Sequence, residues 1–289
     1  MFKLHNSQAI KLLAALAIFS SLIATPVVNA APVPMRIISL SPSATETLFA
    51  IGAGEQVIAV DDLSNYPLNA PMTKLSAFSP NVEALLNYRP DLIVLNADAT
   101  KALEIEAALE KLEIEVFLEQ APNNLKEAYA QITALGEATG RGSGAKRTIS
   151  EMKVRINNAI KSAKKPKKIS FLHELDETLY SATSQTFIGK VYKSFNLKNI
   201  ADLAGGADSA GYPQLQAEYV IKTNPKILFL ADAQYGQNFE SVSTRPGWSS
   251  IAAVKKKNVI ALPEDIPSRW GPRLADFYEF IAMALKKLN

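Results

Sequence analysis

Glu83 and Glu218 are two acidic side chains in surroundings that the chain writes twice. Glu83 lies in NVEALLNYRPDLIVLNAD, residues 81–98, with Val82, Leu85 and Leu86 in apolar places. Pro90 closes that run and Leu92-Ile93-Val94-Leu95 follows as a strand. Glu218 lies in QAEYVIKTNPKILFLAD, residues 216–232, with Ala217, Val220 and Ile221, then Pro225 and the strand Ile227-Leu228-Phe229-Leu230. In both, seven positions separate glutamate from proline. Recurrence once, at so long a period, points to two lobes of similar build rather than to a solenoid. Two acids at corresponding points suit a partner bearing two arginine clusters, because a carboxylate takes a guanidinium fork bidentately. Each acid is also compatible with a solvated carboxylate stabilised near a helix start. From the residues alone both readings stand.

Catalytic chemistry has little material. Beyond residue 30 the only histidine is His173, and the chain has no cysteine, which excludes zinc sites needing several imidazole or thiolate ligands. No G-x-S-x-G elbow, G-x-G-x-x-G turn or phosphate-binding P-loop occurs. A secreted hydrolase built on His173 is the alternative from another class. The expectation is a protein that is not an enzyme and carries no cofactor and no resident metal.

Binding chemistry is better supplied. Tyr66, Phe78, His173, Glu174, Tyr180, Tyr212, Arg269, Trp270 and Arg273 fall where loops should follow strands. In parallel α/β sheets ligands sit beyond the carboxyl ends of the strands. Aromatic rings on several loops suit a large, flat, partly apolar ligand. Any one of them alone could be ordinary loop packing, and His173 could be a buried, satisfied histidine or one that touches a metal.

The elements that must position these residues alternate. Arg36 to Leu40 reads as a strand, Ser41 to Glu46 as a capped helix start, and Gly52 and Gly54 as that helix's end. Val57–Val60 is the next strand, then an acidic, aromatic loop to Pro67. Helices are expected over about 101–112 and 124–139, with a strand at 115–118 between them. Strands too apolar to be half exposed, alternating with helices, argue parallel sheets covered on both faces. Residues 143–163 differ: Ile149, Met152, Ile156 and Ile160 make a narrow stripe on a polar helix, a brace between lobes. Its end, Lys164 to Lys168, reads as solvated lysines at a helix C-terminus. A second lobe restarts with a strand at 169–172. Ser181-Ala182-Thr183 echoes Ser43-Ala44-Thr45, and the Gly205-Gly206 loop leads to the repeat. The last strand is Val259–Leu262 and an amphipathic helix, Leu274 to Leu288, ends the chain. The fold class expected is α/β: two doubly wound lobes with mostly parallel sheets, joined by one long helix, with a ligand cleft between them. The division is 31–142, a connecting helix 143–166, and 167–289.

Residues 1–30 read as a cleaved signal peptide, with Lys3 and Lys11 ahead of an apolar stretch and Val28-Asn29-Ala30 before Ala31. Their removal takes two lysines and no acid, leaving 29 basic against 28 acidic side chains in 259 residues. Near-neutrality implies no nucleic-acid partner. Without cysteine there is no disulfide framework and no thiol for a lipid anchor, so a freely diffusing periplasmic monomer is expected.

Four segments carry a resemblance: RIISLSPSATETLFAIGAGEQVIAV, NVEALLNYRPDLIVL, PQLQAEYVIKTNPKILFLA and SRWGPR. In order and spacing the chain resembles the periplasmic cobalamin and ferric-siderophore binding proteins of ABC importers. The resemblance implies two lobes on a long helix with little hinge motion, a metal chelate in the cleft, and delivery to an inner-membrane permease driven by a cytoplasmic ATPase. It also implies that one glutamate per lobe, here Glu83 and Glu218, docks on permease arginines. Cleft aromatics match Tyr66, Phe78, Tyr212 and Trp270, with Phe78 and Tyr212 standing where the cobalamin branch tends to have tryptophan. Arg269 and Arg273 could pair with an anionic ferric chelate or haem propionates, and Tyr66 or His173 could reach haem iron. A corrinoid ranks first, a ferric siderophore second and haem third.

Overall fold

The strands that carry the fold are those with no polar face. Ile37–Leu40 (β1), Leu92–Asn96 (β4) and Ile227–Leu230 (β8) are buried on both sides along their apolar residues. Such runs belong in parallel sheets with helices over both faces. The computed structural model describes residues 33–163, 168–204, 210–263 and 265–288. The expected signal peptide, Lys164 to Lys167 and Gly205-Gly206 lie outside the described residues.

In the N-terminal lobe β1 is followed by Pro42–Ala50 (α1), Val57–Asp61 (β2), Met72–Leu75 (β3), Val82–Leu86 (α2), β4, Ala102–Glu110 (α3), Glu115–Glu119 (β5) and Leu125–Ala138 (α4). All strands are parallel, in the order β3-β2-β1-β4-β5. Gly142–Ser162 (α5) then crosses to Ser170–Glu174 (β6), Phe187–Lys193 (α6), Lys198–Asn199 (β7), Ala217–Thr223 (α7), β8, Phe239–Ser243 (α8), Ala252–Lys255 (α9), Val259–Ala261 (β9) and Leu274–Lys286 (α10). This second sheet is parallel too, ordered β7-β6-β8-β9. The central pair of each sheet has the same form: Ile37 to Leu40 lie against Leu92 to Leu95, and Phe171 to Glu174 against Ile227 to Leu230.

Local chemistry sets the boundaries. The Ser41 hydroxyl accepts the Ala44 N–H at 3.4 Å to start α1, and the Asn81 and Asn124 side chains cap α2 and α4 in the same way. Gly52, at φ +89°, turns the chain after α1, a region where a side chain is strained. The long helix α5 buries Thr148, Met152, Ile156 and Ala159 against α4 and α10, while Ile149 and Ile160 are partly covered. Besides the two-residue β7, two longer elements escaped the sequence reading. The edge strand β3 buries only Leu75, and α8 forms inside the loop after Asp232 on its Asn238–Ser241 capping box. A third difference matters for function: β6 runs two residues past Leu172 and takes in His173 and Glu174.

Candidate ligand cleft

Beyond the carboxyl ends of the strands lies a cavity of about 400 Å³. Its walls come from three places: Ala121 to Asn123 after β5, Gln185 to Ile188 and Ala210 to Tyr212 around the start of α6, and the segment 267–270 after β9. The surface is mainly apolar, from Pro122, Phe187, Ile188, Tyr212, Pro267 and Trp270, and its size falls within the usual range for small-molecule pockets. Lys190 on α6 donates to the Asn123 carbonyl at 2.8 Å, joining the two lobes at the cavity rim.

The segment S-R-W-G-P-R reaches across to α1 through Arg269, Trp270, Gly271 and Arg273. The Trp270 backbone N–H donates to Ser43 Oγ at 3.3 Å, and its indole Nε1–H donates to Glu119 Oε1 at 3.1 Å. A Cβ on Gly271 would sit 2.9 Å from the Ser43 carbonyl oxygen, so this close pass needs glycine. Arg273 is hydrogen-bonded and ion-paired to Glu46, and its guanidinium carbon lies 4.3 Å from the centre of the Tyr66 ring. Arg269 stands 3.8 Å from Glu46 and 3.4 Å from Asp265, whose second oxygen accepts the Asn65 amide at 2.6 Å. Two arginines therefore face two carboxylates in a nearly buried cluster. Burial raises the Glu46 carboxyl, opposed by the hydrogen bond and charge of Arg273 and then by Arg269. Burial also pushes Glu119 up to about 7, against the nearby Ser41 hydroxyl, the Trp270 hydrogen bond and the charge of Arg269.

The nine expected ligand residues separate into groups. Tyr212 and Trp270 line the cavity. Tyr66, Arg269 and Arg273 belong to the cluster beside it, with both cations already opposed by acids. Phe78 and Tyr180 are exposed on loops and are not among the cavity's walls. His173 and Glu174 need correction: both are fully buried within the second lobe. His173 Nδ1 lies 2.9 Å from the Tyr192 hydroxyl among Phe171, Tyr192 and Phe229, and burial lowers it to about 3. Glu174 receives both arms of Arg245 at 2.7 and 2.6 Å, and Arg245 lies over the Trp248 ring at 4.6 Å. Neighbouring Asp232 is pushed up to about 7 by burial and then by the Glu174 charge. Both stand in the strand away from water: Glu174 is paired at both oxygens, and His173 is bonded at Nδ1 while its Nε2 is buried without a partner. Glu46 and Glu119 were not anticipated: Glu46 lies midway along α1, and Glu119 ends β5 one position past the strand expected at 115–118.

Glu83 and Glu218 are exposed, and each is the second residue of its helix, after Asn81 and Gln216. Their helices lead into β4 and β8, which hold the same place beside β1 and β6. The sequence repeat is thus a repeat of position. Among the described residues no group of three or more His, Asp or Glu is placed to hold a metal, and no helix is long and apolar enough to cross a membrane.

The family model for periplasmic binding proteins matches residues 37–266. An uncharacterized ABC transporter substrate-binding lipoprotein of Bacillus subtilis is 29% identical over 259 residues, covering 87% of this chain and 80% of its own. A vitamin B12-binding protein of Vibrio vulnificus is 27% identical over 252 residues, covering 85% and 87%. A crystal structure from Staphylococcus epidermidis, described as a possible iron-binding (periplasmic solute-binding) protein, superposes with a TM-score of 0.75. It is 27% identical and covers 89% of this chain and all of that one.

Proposed function

This chain belongs to the periplasmic binding protein family, and on that premise we propose that it is the substrate-binding component of an ABC importer for a metal-chelate nutrient, a corrinoid first. The observation that carries the ligand choice is the charge state of the cleft. Arg269 and Arg273, the cations best placed to attract an anionic chelate, are opposed by Glu46 and Asp265, and the cavity beside them is walled by Tyr212, Trp270, Phe187 and Ile188. A broad, neutral ligand bound by stacking and a few hydrogen bonds suits such walls. The Vibrio vulnificus B12-binding relative supports the same choice. A ferric chelate is the second reading, favoured by the Staphylococcus epidermidis neighbour.

Glu83 and Glu218 are the proposed permease contacts, one from each lobe, because they are exposed at matching places before β4 and β8. Acids so placed would meet arginine forks without disturbing the cleft. The proposed location is the periplasm after removal of residues 1–30. The freely diffusing form is proposed because the chain has no cysteine to carry a lipid, unlike the Bacillus subtilis relative, which is a lipoprotein; release by osmotic shock tests it. Titration of the purified protein with cyanocobalamin, a ferric hydroxamate and haem tests the ligand. Cyanocobalamin should bind most tightly; binding of none of the three would refute the chelate reading. Glu83→Arg with Glu218→Arg should leave that affinity unchanged and stop uptake, and normal uptake would remove the docking assignment.

A further inference from the structure

Glu119 is the last residue of β5 and is buried, with only 4% of its surface exposed. Its Oε1 accepts the indole N–H of Trp270, 151 positions further along the chain, and its Oε2 is buried with no hydrogen-bond partner. A carboxylate is costly in such a place. What it holds is the indole N–H edge of Trp270, a residue that lines the cavity. The aromatic χ2 torsion is broad and roughly two-fold, so backbone contacts to Ser43 do not by themselves decide which way the indole lies. An acceptor at one edge does.

We propose that Glu119 is the positioning residue of the cleft: by anchoring the Trp270 indole across the lobe junction it presets the wall against which a flat ligand stacks. It does this without being among the residues that line the cavity. The inference rests on the binding function proposed above and assigns the residue that sets its geometry. The groups facing Glu119 are the Ser41 hydroxyl at the start of α1, Asp61 at the end of β2, and Arg269 beside Trp270. Burial outweighs the nearby donors and cation, so the carboxyl titrates near 7, and the anchor carries a spectroscopic mark.

The chain has two tryptophans, Trp248 and Trp270, so an ¹⁵N-indole spectrum has two N–H signals and Trp270→Phe assigns them. The Trp270 signal should shift with pH around a midpoint near 7 in the wild-type protein. In Glu119→Gln it should keep its hydrogen-bonded position and ignore pH, and in Glu119→Leu it should move to a solvent-like position. Cyanocobalamin affinity should fall about tenfold in Glu119→Leu, the size of one lost hydrogen bond. It should recover in Glu119→Gln, and Glu119→Leu should add nothing in a Trp270→Phe background. A Trp270 signal indifferent to both pH and Glu119→Leu overturns the proposal. So does full affinity in Glu119→Leu once that signal has moved. If wild-type protein binds none of cyanocobalamin, a ferric hydroxamate and haem, the chelate reading fails, and the positioning role is then decided by the indole signal alone.

Discussion

Acid should unmask His173. The ring is fully buried beside Tyr192, Phe171 and Phe229, and burial holds its pKa at about 3 against the ordinary 6.5. The sign follows from linkage. The unfolded chain takes up the proton below 6.5 and the folded one does not, so the stability contributed by neutral His173 is complete above 6.5 and is lost as pH falls toward 3. At about 1.4 kcal/mol per pH unit, the fall from 6.5 to about 4.5 removes roughly 3 kcal/mol, and the full window roughly 5. Against the ~5–15 kcal/mol of a typical domain that is a large share. Glu119 and Asp232, both pushed up to about 7, work the other way and gain stability as pH falls through that value. The useful quantity is therefore the difference between wild type and His173→Leu/Tyr192→Phe, in which those carboxyls cancel. That double variant removes the titrating ring and its hydroxyl partner together. Urea unfolding followed by the buried Trp248 should show this difference shrinking by about 3 kcal/mol between pH 6.5 and about 4.5. A difference that stays constant would mean His173 meets water in the folded state, and its assignment to the core would be wrong.

Two contrasts test other parts of the site. Glu46→Ala strips the shared acid from Arg269 and Arg273, whose side chains are only 13% and 16% exposed, and should cost about 3–5 kcal/mol in urea unfolding. Arg155→Ala breaks three hydrogen bonds between α5 and α10, yet that side chain is 42% exposed, and the loss should stay below ~1 kcal/mol. Equal effects would undo the burial argument. Gly271→Ala places a methyl group 2.9 Å from the Ser43 carbonyl oxygen and should lower stability by about 1–3 kcal/mol. Because the displaced segment carries Trp270, cyanocobalamin affinity should fall with the melting temperature; loss of stability at full affinity would separate the α1 crossing from the cavity wall.

Much of the fold is legible because parallel sheets demand it. Ile37–Leu40, Leu92–Leu95 and Ile227–Leu230 are apolar runs without alternation, and each became a strand buried on both faces. The helix-binding stripe of α5 and the asparagine caps of α2 and α4 are local signals as well. The edge strand β3 carries no such signal, since three of its four residues, Met72, Thr73 and Lys74, are not buried. Its place is fixed by pairing with β2, which a reading of 72–75 alone cannot register.

The candidate site was legible by residue type and not by charge. His173 and Glu174 look like a strand's wet end because a polar pair in isolation belongs in water. Tyr192, 19 positions on, and Arg245, 71 positions on, supply the partners that let them be buried. Arg269 and Arg273 look like anion hooks for the same reason. The acid that answers Arg273 is Glu46, 227 positions earlier, reached only because Gly271 lets the chain pass over α1. A cation paired in this way offers a ligand much less than a free one, since the field of the guanidinium is largely cancelled before any ligand arrives. On the function proposed above, what the cleft selects is then decided by long-range pairing: with the two arginines answered, the cavity residues Tyr212 and Trp270 are left to discriminate by shape.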